Sequence, residues 1–168
     1  LAVILAVAIL FKNWNFFHDD AYITLRYAKN WITGHGIVWN EGEYVQGYTN
    51  FLHLLCVYIL GYFGLDLVVA ARLVSSAAFL ATAILLAYCG YSFRLGYSKN
   101  FQHLPIIIFI TSAPVIVWTL GGLETVLFGF LTLLGTVIFL SAVGKNYVNR
   151  RFLLSGAFFG LAFLTRPD

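Results

Sequence analysis

The sequence predicts an all-α integral membrane protein with about five transmembrane helices and two helices on the membrane surface. Three observations carry this prediction. Of the 168 residues, 61% are hydrophobic and only 10% are charged, which is far more apolar than an ordinary water-soluble domain. The apolar residues gather in long runs separated by short polar segments. Most charged residues lie at the ends of these runs.

Five apolar runs are candidate spans, since a helix needs about 20 residues to cross a bilayer. They cover residues 1–11, 65–93, 104–120, 123–143 and 152–165. The fourth run matches a span best, the second is long enough to tilt, and the fifth is short. Both ends of the chain lie at apolar runs, so we expect the amino-terminal part of a longer protein. Its first span would be truncated and its carboxyl-terminal half missing.

Basic residues predict the orientation of the spans. The loops after the second and fourth spans contain bases and no acids: Arg94, Lys99, Lys145, Arg150 and Arg151. Because cytoplasmic loops are enriched in Lys and Arg, both loops are expected to face the cytoplasm. Loop 12–64 then lies outside, and all seven carboxylates gather on that outer face: Asp19, Asp20, Glu41, Glu43, Asp66, Glu124 and Asp168.

The first surface helix is expected over residues 20–33 of the outer loop. Asp19 or Asp20 can cap its start, because a carboxylate there accepts backbone N–H groups. Apolar and polar residues form separate stripes at helical spacing, so the helix should lie on the membrane with its apolar side down. The apolar stripe is Ala21, Leu25, Ala28 and Ile32, and the polar stripe is Tyr22, Arg26 and Lys29.

A turn and a second surface helix follow. The stretch Asn40-Glu41-Gly42 predicts a tight turn between two short extended arms. Thr49 or Asn50 can cap a helix over residues 51–63, which is too short to cross the membrane.

The adjacent acids Asp19 and Asp20 have two explanations. One acid could cap the helix while the other is solvated. Alternatively, the two carboxylates repel each other, so the pair takes up a proton or recruits a cation, as a general base or a metal site requires. His18 precedes them and can assist either role.

Four more charged residues are also open to two explanations. Arg26 and Lys29 can bind a phosphate, or extend from an interfacial helix toward water. Glu124 and Arg166 lie at the outer ends of spans, where a charge either meets a ligand or marks the membrane boundary.

Several functional classes are not expected. The net charge of +3 forms no basic block, so nucleic acid is not an expected partner. The sequence has no P-loop, dinucleotide fingerprint, Ser/His/Asp order or Cys/His zinc spacing.

Three segments carry a family resemblance: HDDAYITLRYAKNWITGHGIVWNEGEYVQGYTNFLHLL, GGLETVLF and LAFLTRPD. The chain resembles the amino-terminal half of the polytopic GT-C glycosyltransferases. Within them it is most similar to the bacterial arabinofuranosyltransferase-like subgroup, which is related to protein mannosyltransferases and lipopolysaccharide-modifying glycosyltransferases. The first segment is the most specific of the three. Many members have Glu where this chain has Asp168, which leaves the role of that position open.

The resemblance implies an active site on the outer side of the bacterial plasma membrane. The donor would be a polyprenyl-phosphate sugar, carrying arabinofuranose or another pentose or hexose, and the acceptor a glycan, lipid or protein of the cell envelope. Asp19 would be the general base of an inverting transfer and Asp20 its neighbour, and either could bind Mg²⁺ or Mn²⁺. The candidate donor-binding residues are Arg26, Lys29, Glu124, Arg166, Tyr48 and His18.

Two alternatives from other classes remain open: a transporter or lipid flippase, and a non-catalytic membrane assembly subunit. A transporter predicts charges near the bilayer midplane, or interrupted helices at matching depths of two repeats. In this sequence most charges lie at span ends and no repeat is evident.

Overall fold

A computed structural model describes residues 2–92, 102–143 and 148–167, and within these ranges the chain is helical and forms no strand. The predicted all-α class is therefore confirmed for the described residues. Arg94, Lys99, Lys145 and Asp168 lie outside them. The eight helices described are α1 (Ala2–Lys12), α2 (Ala21–Ile32), α3 (Phe51–Tyr62), α4 (Leu67–Ser92), α5 (Leu104–Thr111), α6 (Ala113–Leu120), α7 (Thr125–Ala142) and α8 (Val148–Thr165).

Two of the described helices, α4 and α7, are long and apolar enough to cross a membrane. At about 1.5 Å per residue, the 26 residues of α4 extend about 39 Å and the 18 residues of α7 about 27 Å. These lengths compare with a hydrocarbon thickness of about 30 Å. Length and composition alone give weak support for a membrane protein, and the count of five spans stays a prediction.

The run 104–120, predicted as one span, is divided into α5 and α6. Ser112 between them has extended angles, φ −70° and ψ 109°. Pro114 explains the break, because its ring lacks an N–H group and would clash with a carbonyl of the preceding turn. Pro114 then fits the first turn of α6, where an N–H donor is not needed. The proline was a visible signal that the sequence reasoning did not use.

Helices α7 and α8 pack closely against each other. Helix α8 begins at Val148, four residues before the predicted span. Arg151 therefore lies in its first turns and donates from Nη1 to the carbonyl oxygen of Ser141 at 3.0 Å. Near the middle of the pair, the buried Ser155 hydroxyl donates to the carbonyl oxygen of Gly135 at 2.8 Å.

The two helices predicted within loop 12–64 form as expected, within one residue at each end. The apolar stripe of α2 faces α3 and the start of α4 rather than lipid. This corrects the expected orientation: α2 is held against protein, because burying its stripe there removes the same apolar surface from water. The core cluster consists of Leu25, Tyr27, Ala28, Leu54, Val57, Ala70 and Ala71.

Helix α2 also has inward polar residues that hold the following segment, 37–50. Thr24, Tyr27 and Asn30 are spaced three residues apart and so lie on one side of the helix. The Asn30 amide donates to two carbonyl oxygens of the segment, at 2.8 and 3.0 Å. The Tyr27 hydroxyl donates to a third at 2.7 Å and accepts an N–H at 2.9 Å. Thr24 accepts from Asn50 at 2.9 Å.

The predicted turn around Glu41 is confirmed. The Glu43 N–H donates to the carbonyl oxygen of Asn40 at 3.1 Å, and these two residues form an isolated antiparallel bridge. Gly42 has φ of 80°, a conformation that side chains disfavour. The flanking arms form no strand in the described part of the loop.

Candidate functional site

The segment before the two acids is joined to the turn before Glu124. The His18 N–H donates to the carbonyl oxygen of Gly121 at 3.1 Å. The His18 ring stacks on Trp118 with a centroid distance of 5.4 Å. Gly122 has φ of 76°, and a side chain on it would overlap with the Phe17 ring. The acids and Glu124, about a hundred residues apart in sequence, therefore lie at the same end of the protein.

Neither acid caps α2 with its side chain. Asp20 occupies the N-cap position with helical backbone angles and no side-chain capping bond. The first three N–H groups of α2 donate instead to the carbonyl oxygens of residues 18–20, at 3.0 to 3.2 Å. The capping explanation for the pair is therefore wrong in this structure, because backbone groups already satisfy those donors.

The two carboxylates lie close to the His18 ring. His18 Nδ1 is 3.0 Å from Asp19 Oδ1 and 3.6 Å from Asp20 Oδ2. Asp19 Oδ1 also accepts the Asp20 N–H at 3.1 Å. The side chains of Asp19 and Asp20 are 95% and 68% exposed, so they are accessible to an incoming molecule. At this exposure an ion pair with a protonated His18 contributes at most about 1 kcal/mol.

The same three residues can supply ligands for a divalent cation. One ligand atom from each of His18, Asp19 and Asp20 lies within 4.8 Å of the others. Ligands of a Mg²⁺-sized ion bind at about 2.1 Å and so lie within about 4.2 Å of one another. The three atoms therefore lie only slightly farther apart than the ligands of such an ion. The imidazole makes the set better suited to a transition metal such as Mn²⁺ than to Mg²⁺.

Four predicted site residues from distant parts of the chain line one open cavity of about 800 Å³: Asp20, Tyr48, Glu124 and Arg166. Asn50 lines it as well. This is the largest group of predicted residues that the structure brings together. The cavity has a mixed polar and apolar wall and carries charges of both signs.

Asp19, Arg26 and Lys29 line a second open cavity of about 660 Å³ on the other side of α2. The Arg26 guanidinium donates from Nε to the Trp39 carbonyl oxygen at 2.9 Å, donates to Asn40 Oδ1, and lies 4.3 Å above the Trp39 ring. Arg26 therefore anchors segment 37–50. The Lys29 ammonium group forms no hydrogen bond or ion pair within the described part of the chain, so it is the better candidate for binding an anion in this cavity.

Glu124 is tied to α2 through Asn50. Asn50 holds the N-cap position of α3, as predicted, but its side chain makes no capping bond. Its Nδ2 donates to Glu124 Oε2 at 3.1 Å and to Thr24 Oγ1 at 2.9 Å. The network fixes one carboxylate oxygen of Glu124 at the cavity wall.

Sequence reasoning missed three residues at this end of the protein. Arg72 and Ser75 of α4 donate to backbone carbonyls beside the acids and beside Glu124. A charge inside an apolar run was a usable signal for Arg72. His53 in α3 is fully buried, with neither ring nitrogen hydrogen-bonded among the described residues. Burial lowers the pKa of His53 from 6.5 to about 4. Nothing in its sequence context distinguishes it.

Comparisons with protein-family models, with curated proteins and with solved structures gave no significant match to this chain. The resemblance to GT-C glycosyltransferases therefore rests on the sequence segments that carry it.

Proposed function

We propose that the protein containing this chain is a glycosyltransferase of the bacterial plasma membrane. It transfers a sugar from a polyprenyl-phosphate donor to a glycan, lipid or protein acceptor on the extracytoplasmic side. The strongest support is the convergence of Asp20, Glu124 and Arg166 on one open cavity of about 800 Å³, next to the exposed Asp19. A wide cavity with fixed charges of both signs at its wall suits a sugar joined to a phosphate.

In the proposed reaction Asp19 accepts a proton from the acceptor hydroxyl as that oxygen attacks the anomeric carbon. The bond between this carbon and the phosphate oxygen breaks, and polyprenyl phosphate leaves from the opposite face with inversion. Asp19 Oδ1 accepts the Asp20 N–H, which leaves its other oxygen for the acceptor hydroxyl. Catalysis of this kind depends mainly on holding the two reactants in line.

Positive charge near the leaving phosphate completes the mechanism. The residue proposed to neutralise it is either Lys29, which lines the same cavity as Asp19, or Arg166, which lines the cavity of Asp20 and Glu124. Arg26 contributes only the N–H groups that its contacts to segment 37–50 leave. His18 and Asp20, with one oxygen of Asp19, would hold a divalent cation, which supplies further positive charge toward the phosphate.

The test is transfer from synthetic polyprenyl-phosphate sugars by the purified full-length protein. Asp19→Asn should lower kcat by about 100-fold or more, since general-base catalysis contributes 10² to 10⁴. Donor binding and melting temperature should stay near wild type. Glu41→Gln is the matched control, because it removes an exposed carboxylate that pairs with His35 and lines neither cavity. Near-normal transfer by Asp19→Asn would remove its assignment as the base.

The cation proposal has its own test. Chelation should inhibit transfer, and Mn²⁺ should restore it at lower concentration than Mg²⁺, because His18 supplies a nitrogen ligand. Transfer that is indifferent to chelators would exclude the cation and leave the general base unaffected.

One observation favours the transporter alternative, namely the helix interruption at Ser112 between α5 and α6. Pro114 is sufficient to explain this break locally. Reconstituted vesicles separate the two functions: movement of the labelled donor lipid between leaflets without sugar transfer would favour a flippase. An assembly subunit would show neither activity.

A further inference from the structure

Arg72 lies in the second turn of α4 and binds two separate segments of backbone. Its Nε donates to the carbonyl oxygen of Leu120 at 3.2 Å. Its Nη2 donates to the carbonyl oxygens of Trp14 and Phe16, at 3.1 and 3.0 Å. The planar guanidinium, with donors in a fixed fork, is well suited to this task, which an ammonium group could not reproduce.

The surroundings of Arg72 suit a half-buried cation. Leu120 is the last residue of α6, so its carbonyl oxygen lies at the negative end of the helix dipole and lacks a helical donor. The guanidinium carbon lies 5.6 Å from the Phe17 ring centre and 6.0 Å from that of Trp14. Carbonyl and aromatic groups thus compensate for water lost around the charge.

Ser75, three residues later on the same side of α4, extends the anchor. Its hydroxyl donates to the carbonyl oxygen of Leu123 at 3.1 Å. Arg72 and Ser75 therefore hold the backbone on both sides of the Gly121–Gly122 turn, directly before Glu124. The same Arg72 holds the backbone two residues before His18.

We infer that Arg72 is a positioning residue for the site: it sets the distance between the Asp19–Asp20 pair and Glu124. It acts through the backbone and touches neither cavity wall among the residues described there. This inference rests on the proposed function for its effect on rate. The structural part of the inference is that Arg72 holds segment 13–20 against residues 120–124, and this part does not depend on the proposed function.

The experiment uses the full-length protein with Arg72→Gln, Arg72→Lys and a matched control, Arg151→Met. Arg151 of α8 also donates to a backbone carbonyl, at 3.0 Å, but its bond joins α8 to the end of α7, away from the acids. Two experiments are made on each variant. The first measures kcat and KM for sugar transfer, and the second measures hydrogen–deuterium exchange of peptides covering residues 13–20 and 120–124.

Arg72→Gln should lower kcat by about tenfold to a hundredfold with KM changed less than threefold, because a shift of about 1 Å at a catalytic group has effects of this size. Exchange in peptide 13–20, which includes the His18 N–H, should become about tenfold faster. Arg72→Lys should recover part of both effects, since a lysine reaches one carbonyl at a time. Arg151→Met should leave both unchanged.

The outcomes separate the two proposals. If wild type transfers sugar and Arg72→Gln behaves like Arg151→Met in both measurements, the positioning role is overturned. A wild type without transfer activity overturns the proposed function, while faster exchange confined to the Arg72 variants still supports the anchor. If Arg72→Gln fails to fold, the test uses Arg72→Lys alone. Wild-type kcat and wild-type exchange rates in Arg72→Lys would refute the inference, whereas a partial loss of kcat with partly faster exchange would support it.

Discussion

The fold should lose stability as the pH falls from 6.5 to 4 because of His53. The ring is fully buried and unpaired among the described residues. Burial lowers its pKa from 6.5 to about 4, since the charged ring would lose its hydration. In this pH window the unfolded chain binds a proton at His53 and the folded chain does not. Stability therefore falls with decreasing pH across the window, and below pH 4 this residue causes no further loss.

The size of the effect follows from the two pKa values. A difference of about 2.5 pH units, at about 1.4 kcal/mol per unit, gives about 3 kcal/mol between pH 7 and pH 4. His53→Leu removes the titrating group and the unpaired ring nitrogens. The variant should equal or exceed wild type in stability at pH 7, because an unpaired buried polar group costs about 1–3 kcal/mol. Its advantage should grow by about 3 kcal/mol at pH 4.

The assay is equilibrium unfolding of purified protein in a nonionic detergent, followed by circular dichroism at several pH values from 4 to 8. Subtracting the wild-type curve from the His53→Leu curve cancels the titration of carboxylates common to both proteins. His103→Gln, at an exposed position, is the control and should follow wild type at every pH. A difference between wild type and His53→Leu that is constant from pH 4 to pH 7 would refute the reasoning.

Three further changes test the contacts around the site and between the helices. Tyr27→Phe removes the hydroxyl that links α2 to segment 37–50. It should lower the unfolding free energy by about 1–3 kcal/mol in the same assay. An unchanged unfolding free energy would show that the link does not stabilise the fold. Gly122→Ala should be destabilising by more than about 1 kcal/mol, because Gly122 has a φ of 76° and the new methyl group would overlap with Phe17. In Gly129→Ala the new methyl group lies within 4 Å of no other described atom that could clash with it. This variant should therefore be neutral or stabilising by up to about 1 kcal/mol. Equal melting temperatures for the two alanine variants would contradict this. Ser155→Ala should lower the unfolding free energy by about 0.6 kcal/mol, because it removes the hydrogen bond between α7 and α8. An unchanged value would show that packing alone stabilises the contact between these two helices.

Elements encoded by neighbouring residues were predictable from the sequence. Periodicity and flanking glycines located α2 and α3 within one residue at each end, and a glycine after two polar residues located the turn near Glu41. The residues around Pro114 show the limit of counting apolar residues: composition predicted one continuous helix where a single proline divides it. A local signal was present there, but hydropathy does not register it.

Part of the candidate site was also predictable. Asp19, Asp20, Glu124 and Arg166 stood out as charges at the ends of apolar runs, and the structure brings three of them to one cavity. Their separation into two cavities by α2 was not predictable, nor was the use of Arg26 as an anchor. These depend on which way each side chain points once the helix is packed.

The sequence by itself determined that the described part of the chain is helical and apolar, and where most of its helices lie. These properties follow from local periodicity and from the unfavourable burial of charge. Only the tertiary structure decided that Arg72 holds the backbone before His18, and that Asn50 bonds to Glu124 rather than capping α3. It also decided that the buried His53 ring has no hydrogen-bond partner among the described residues. Each of these features depends on contacts between residues that are distant in sequence, and a pattern of neighbouring residues does not encode such contacts.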